Sequence, residues 1–438
     1  MRTTIYSVLA AMIFTTCAFA NLAKASDEPV KRPPQFVLIS FDGSYNHKFW
    51  QETLNIADKT HARFSYFISG VYFIKRKDKM LYTSPRHKQG TSGIGFGDDE
   101  TQDIQARTEF VWQALDHGFD IGSHVNGHYD GGSFWTKDEW TSEFTQFHHF
   151  VEKVFDLNPD VIASFARQWQ ARLHAALTGF RAPLLEENNS TVQVLKDFNY
   201  QYDASGSSKS AWPSQKANGI WNLNLAEIQL AGTQHRTIAM DYNILYGQCN
   251  GKFKPSDSGE CLSLTPGLMT HFETQMYQSY INTFLNSYYG NRAPLSIGHH
   301  FSLWNKGIYW KVLQRVIYDV CNQPEVQCVT HKDMLQWMNK TIAKNGKAYV
   351  TRLNRGDFDK SDTPTSVGEK LRVDPSDLNK VSQTNDVIPE IEAAAQRMMM
   401  KGDLPQAHAE EMQEVDMDQF RYTPSENSTP GNSSGGAL

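Results

Sequence analysis

Between Pro33 and about Asn345, short apolar runs alternate with amphipathic stretches. The run "FVLIS", Phe36 to Ser40, is short and continuously apolar, the pattern of a strand buried on both faces. "FWQETLNIADKTH" then repeats its apolar residues at helical spacing, and "RFSYFIS" returns to a strand. "TQDIQARTEFVWQALDHG" predicts a helix with Gly118 at its exit, followed by a strand at "FDIGSH". "TKDEWTSEFTQFHHFVEKVFDLN" predicts a helix opened by a capping box, with Thr136 as N-cap and Glu139 reaching back. "TGFRAP" reads as a strand and turn, and "STVQVLKDFNY" as a helix capped by Ser190. Farther on lie "IWNLNL", "TIAMDYN", a helical region near His271 to Tyr289, and the apolar run "APLSIGHH". "KGIYWKVLQRVIYDV" and "HKDMLQWMNKTIAK" read as the last helices. Strand-then-helix repetition of this kind predicts an α/β architecture with parallel strands, a barrel rather than an open sheet. No glycine-rich phosphate loop follows the first strand, which argues against a nucleotide-binding doubly wound fold.

The two ends depart from this pattern. Arg2, the apolar stretch Ile5 to Phe19 and the small-residue sites "AFA" and "AKA" read as a secretory signal over 1–25. No later stretch is apolar and long enough to span a bilayer. From 351 to 438 the chain is rich in Asp, Ser, Thr, Asn, Pro and Gly, and reads as a largely disordered tail with one helical patch, "IPEIEAAAQRMMMKGDL". The folded domain is therefore placed at 26–350. Inside it, "YTSPRHKQGTSGIGFGDD" is a long insertion, and loops of this length are usually functional rims or mobile.

Composition sharpens the picture in two respects. A net charge of −6 gives no reason to expect nucleic-acid binding. Of five cysteines, Cys17 leaves with the signal, and an even number remain. In an exported chain that suggests disulfides, with Cys249–Cys261 and Cys321–Cys328 as the sequence-local pairs. A four-cysteine zinc site is the other possibility, but no C-x-x-C spacing supports it. Sites for N-glycosylation occur at Asn339 and Asn427.

Four features carry candidate chemistry. In "DIGSHVNGHYDGG", His124 and His128 are spaced i, i+4 just after a strand, so a helical or turn-like backbone brings both imidazoles to one side, able to share a metal. Asp42 ends the first strand, as either a site carboxylate or a turn-capping residue. "TGFRAPLL" supplies Arg181 after another strand. "APLSIGHH" delivers His299 and His300 at a strand end, suited to packing, ligation or acid–base work. The order Asp, His-x-x-x-His, Arg-x-Pro, apolar run plus His is far more specific than any one of these.

That order resembles the polysaccharide deacetylase family (NodB homology domain, carbohydrate esterase family 4), nearest to its chitin deacetylase-like branch. "FDGS" stands at the first motif, "SHVNGH" at the second, "RAP" at the third and "PLSIGHH" at the last, over about Pro33 to Asn345. The resemblance implies a distorted (β/α) barrel of about seven strands. It also implies a divalent metal, most often Zn2+ with Co2+ or Ni2+ as substitutes, held by an Asp and two His. His124 and His128 match the ligands, and Arg181 the group that orients the catalytic base. His300 matches the leaving-group acid by its spacing from Pro294, with His299 as the alternative. Trp212 and Trp221 fall where the family often places an aromatic wall for a sugar ring. The implied partner is an N-acetylated glycan of chitin or peptidoglycan type, attacked by metal-activated water outside the cell or in a periplasm, by a monomer.

One position breaks the pattern. The family has two adjacent Asp in its first motif, the first a base and the second a metal ligand; here they are Asp42 and Gly43. Three outcomes stay open. Asp42 stays the base while His124, His128, water and a nearby carboxylate such as Asp130 hold the metal. Alternatively, Asp42 moves to the metal. In the third outcome, activity is lost and a glycan-binding groove remains. An O-acetyl esterase of xylan-like substrates is a further reading.

Overall fold

The computed structural model describes residues 31–253, 259–371 and 422. The signal at 1–25 and most of the expected tail lie outside the described residues.

Strand β1 (Gln35–Gly43) is buried from its first residue to Asp42, as its unbroken apolar run requires. It pairs in parallel with β2 (Ser65–Ile68) on one side and with β11 (Leu295–His300) over Val37 to Asp42. From β2 the sheet continues through β3 (Asp120–Ser123), β4 (Gly179–Phe180), β5 (Tyr202–Asp203) and β8 (Trp221–Asn222), all parallel, and ends on β7 (Ser214–Gln215), which runs antiparallel. The short strand β12 (Val326–Cys328) pairs with the first residues of β1. A second sheet joins β6 (Ser207–Ser208), β9 (Leu225–Gln229) and β10 (Arg236–Ile238). The chain beyond β10 bridges back to β11 at Met240 and Gly298, so the small sheet partly covers the open side of the curled main sheet. The result is a distorted, incompletely closed (β/α) barrel.

Aromatic packing fixes β1 against its helices. Trp50 stacks on Tyr66 at 4.1 Å and Phe49 meets Trp310 edge-on at 4.6 Å, with Phe41 and Phe301 between them. The helix His47–Thr60 begins at once after β1 because Asn46 caps it, accepting from the Lys48 amide. Trp50 Nε1 donates back to the Ser44 carbonyl, tying that helix to the turn that follows Asp42.

Most expected helices are present, from Thr101–Asp116 to His331–Asn345. The Thr136/Glu139 capping box opens Lys137–Glu152. One cap differs: Asn188, not Ser190, caps Asn189–Asp197, with Thr191 returning the bond. An amide oxygen two residues upstream reaches both orphan N–H groups, so Ser190 falls inside the first turn. Cys249–Cys261 and Cys321–Cys328 are disulfide-bonded.

The ordered body also runs past the expected limit at residue 350. Helices Ala348–Arg355 and Ser366–Leu371 pack on it through the buried Leu353, Val367 and Leu371. The Tyr289 hydroxyl receives the Gly368 amide. Three apolar anchors among Asp, Ser and Thr suffice to dock this segment, and a composition window averages them away. Among the described residues no helix is long and apolar enough to cross a membrane.

Candidate active site

Asp42 lies at the C-terminal end of β1, where parallel barrels aim their chemistry. Gly43 follows at φ +73° and Ser44 at φ +59°, and this left-handed pair turns the chain sharply into the helix cap. The Asp42 carboxylate is buried and accepts a 2.8 Å hydrogen bond from Arg181 Nη1. Arg181 is itself held through two of its three nitrogens. Its Nη1 also donates to Ser40 Oγ at 2.8 Å, its Nε donates to the Ala204 carbonyl at 3.0 Å, and its plane lies over the Phe67 ring. Burial alone would raise the Asp42 carboxyl, but Arg181, His124 and His300 outweigh it and hold the group below the usual carboxylate range.

His124 continues β3, its amide donating to the Ile68 carbonyl. Its Nδ1 donates to the Arg181 carbonyl at 2.8 Å, which fixes the tautomer and leaves Nε2 as a bare lone pair. The loop that brings His128 back beside it is no helix. Val125 stands at φ +44° and His128 at φ +59°, and the two imidazole centroids are 5.2 Å apart. A β-branched residue at that φ is an outlier and needs support. The support is visible: Asn126 Nδ2 donates to the Glu143 carbonyl, the Gly70 amide to the Val125 carbonyl, and the Gly127 amide to Tyr82 Oη. A Cβ at Gly127 would lie 2.5 Å from that hydroxyl, so only glycine fits. The long insertion supplies part of this brace, through Tyr82 and through the Gly93 amide bonded to the Gly127 carbonyl. Burial pushes the His124 imidazolium down and His128 further, to about 3, so both rings are neutral.

His300 ends β11. Its Nδ1 donates to Asp241 Oδ1 at 2.8 Å and its amide to Asp241 Oδ2 at 2.9 Å. Burial would lower this imidazolium, yet Asp241, with Asp42 behind it, raises it above the ordinary histidine value. Asp241 escaped the sequence reading. The signal was present in "TIAMDYN", an apolar run ending in Asp, the same pattern that exposed Asp42.

Asp42, His124, His128 and His300 line one pocket of about 360 Å3, counting its open mouth. Its remaining wall is Ala182, Leu184, Leu185, Met240, Tyr242 and Asn243. Leu184 and Leu185 stand at φ +58° and +61°, a strained pair that presents two side chains to the pocket from the turn after β4.

Four expected residues lie elsewhere. His299 does not line the pocket: it is buried, meets Tyr280 Oη at 3.2 Å, and its Nδ1 lies 3.6 Å from Asp241 Oδ2. Trp212 and Trp221 are buried in an apolar cluster with Phe36, Leu223 and Met338. Trp212 Nε1 donates to the Asn291 carbonyl, and neither ring lines the pocket. Asp130 accepts the Ser133 amide in a turn and does not line the pocket.

In donor type the pocket suits a borderline divalent cation. Two neutral imidazoles and a carboxylate present lone pairs of the type such a cation takes. In donor number it is one short. At Gly43 there is no side chain, and a Cβ there would meet only the Tyr72 ring at 3.8 Å. Among the described residues, donor atoms of three such side chains come within 4.8 Å of one another only at His148, Glu152 and His174, so Asp42, His124 and His128 do not form so tight a set.

No family model matches the sequence. No curated protein matches it either. Solved structures that resemble this one include a provisionally assigned polysaccharide deacetylase from Mycobacterium smegmatis, at 12% identity over 72% of this chain and 96% of that one, TM-score 0.43. Another is a family 4 carbohydrate esterase pseudoenzyme from Bacillus anthracis, at 10% identity over 71% and 69%, TM-score 0.32. A third is a family 4 carbohydrate esterase from Streptomyces lividans solved with acetate, at 12% identity over 71% and 90%, TM-score 0.30. Identities and scores this low carry no weight for the chemistry, which rests on the residues above.

Proposed function

We propose that this chain is an exported, metal-assisted deacetylase of N-acetylated glycans of chitin or peptidoglycan type. One observation carries the reading: a carboxylate braced by an arginine and a histidine braced by a carboxylate line the same pocket as two neutral imidazoles. Asp42 is the general base for the attacking water. Arg181 keeps it ionised and fixes its direction. His300 is the general acid that protonates the departing amine nitrogen, and Asp241 keeps it charged and oriented. Leu184, Leu185 and Met240 form an apolar wall suited to an acetyl methyl group.

Electrostatics explains why a cation belongs to this reading. A carboxylate held below its usual range is permanently ionised but weakly basic, so it takes a proton well only from acidified water. His124 and His128, with Asp42 lining the same pocket, would hold a divalent metal such as Zn2+. When bound, the metal supplies water acidification and carbonyl polarisation. Two disulfides fit an oxidising compartment outside the cytosol.

Gly43 favours a second reading, a protein that binds such glycans without turning them over. Acetate release and retention on N-acetylglucosamine oligomers, measured on one zinc-loaded preparation, separate the two. Release supports the enzyme; retention without release supports the binding protein. Acetylated xylan, run beside them, tests an O-acetyl preference.

A further inference from the structure

A second group of metal-ligating side chains lies outside this pocket. His148 and Glu152 stand one turn apart near the end of the helix Lys137–Glu152, and His174 reaches them from the helix Ala166–Ala176. Glu152 Oε1 accepts from His148 Nδ1 at 2.7 Å and from His174 Nδ1 at 2.8 Å. The donor atoms of all three lie within 4.8 Å of one another, the only such set among the described residues.

We infer that His148, Glu152 and His174 form a second divalent-metal site, for Zn2+ or a similar borderline cation, that staples these two helices together. Two imidazoles and one carboxylate are a zinc donor set, and three protein ligands leave water to complete the tetrahedron. The arrangement is built rather than loose. His148 lies flat against Phe198, with ring centroids 5.4 Å apart and planes 19° apart. Its Nε2 meets the buried Tyr200 hydroxyl at 3.2 Å. Tyr200 Oη can donate to that nitrogen or accept from it, so on metal binding Nε2 would keep the ring proton, the Nδ1 proton now given to Glu152 would leave to solvent, and Nδ1 would ligate, with the outer-shell support typical of metal-binding histidines. The helices are also tied beside the site, by Trp169 Nε1 donating to the Val151 carbonyl and by Lys153 Nζ donating to Gln170 Oε1.

Geometry asks for little adjustment. Donors about 2.0–2.2 Å from a tetrahedral zinc sit roughly 3.3–3.5 Å apart. The present contacts would open by about half an ångström, and His174, 70% exposed, is free to swing that far. Without metal the same atoms close into hydrogen bonds, so the site costs the protein no unpaired buried group.

Zinc titration of the dialysed full-length protein tests this, read by calorimetric stoichiometry and by Tm. Three variants are compared with wild type: His174→Ala, His124→Ala/His128→Ala, and the triple combination. His174 is exposed, so its loss leaves folding intact. The inference expects the double variant to keep one equivalent of zinc and a Tm rise of roughly 2–5 °C at saturation. Loss of that equivalent and of the shift in the triple variant, with one equivalent fewer in His174→Ala than in wild type, supports the site. Equal stoichiometry with and without His174, or no zinc bound by the double variant, overturns it.

Discussion

Arg181 Nη1 stands 2.8 Å from Asp42 Oδ1, and both side chains are out of solvent. A buried pair of this kind adds little net stability, but losing one partner strands a charge, at about 3–5 kcal/mol. Arg181→Ala is therefore expected to fold poorly. Arg181→Lys keeps the charge and loses the fork that reaches Ser40, Ala204 and Asp42 together. It should fold, with kcat/KM for acetate release down by about 10²-fold or more. Activity within threefold of wild type would contradict the positioning role.

Asp241 sets the charge of His300, and so the alkaline side of the pH profile. The folded imidazolium lies above its ordinary value, so the acid form persists above the usual histidine range and is lost as pH rises further. The acid limb follows Asp42 and falls below the ordinary carboxylate range. In Asp241→Asn the alkaline limb should move down by about one pH unit or more, with the acid limb unchanged. A pH profile of kcat/KM reads both limbs.

Gly43 leaves room for the missing carboxylate. Gly43→Asp places a side chain against the Tyr72 ring at ordinary contact distance. Its positive φ costs about 1–2 kcal/mol, which Asp tolerates better than most residues. Zinc affinity at the pocket should rise by about 10-fold or more, and calorimetry in a His174→Ala background isolates that site.

Glu143 predicts a pH-dependent stability unrelated to catalysis. Its carboxyl is fully buried and burial raises it to about 7 from an ordinary 4.5. The folded protein thus binds a proton that the unfolded chain releases, so stability is highest below 4.5 and is lost as pH rises through 7. From pH 5.5 to 8 this group should cost about 2 kcal/mol. Glu143→Gln should flatten that change in urea melts, while the Tyr82 and Asn126 brace keeps the His124–His128 loop in place.

How much was legible in advance follows from the range of the signals. β1 and most of the helices were readable because local apolar periodicity encodes them. Asp42, His124, Arg181 and His300 could be placed near one end of the sheet because each closes a strand or starts the turn after one, and His128 because it lies four residues beyond His124. Asp241 also ends an apolar run, but its partner is fifty-nine positions away in sequence, so nothing local marks it as the carboxylate of a histidine. Trp212 and Trp221 misled because aromatic residues fill cores as readily as they line grooves, and the cluster around Phe36 draws them inward. The strands β6 and β10 of the small sheet, two and three residues long, are too short to leave a period.

The central claim is hydrolysis by the Asp42–His300 pair. Its most direct test is acetate release from N-acetylglucosamine oligomers, with Zn2+, Co2+ or Ni2+ supplied, for wild type and Asp42→Asn. Wild type should release acetate with at least one of these metals, and Asp42→Asn should lose about 10²-fold or more. No release with any of the three metals, or equal release by Asp42→Asn, would contradict it.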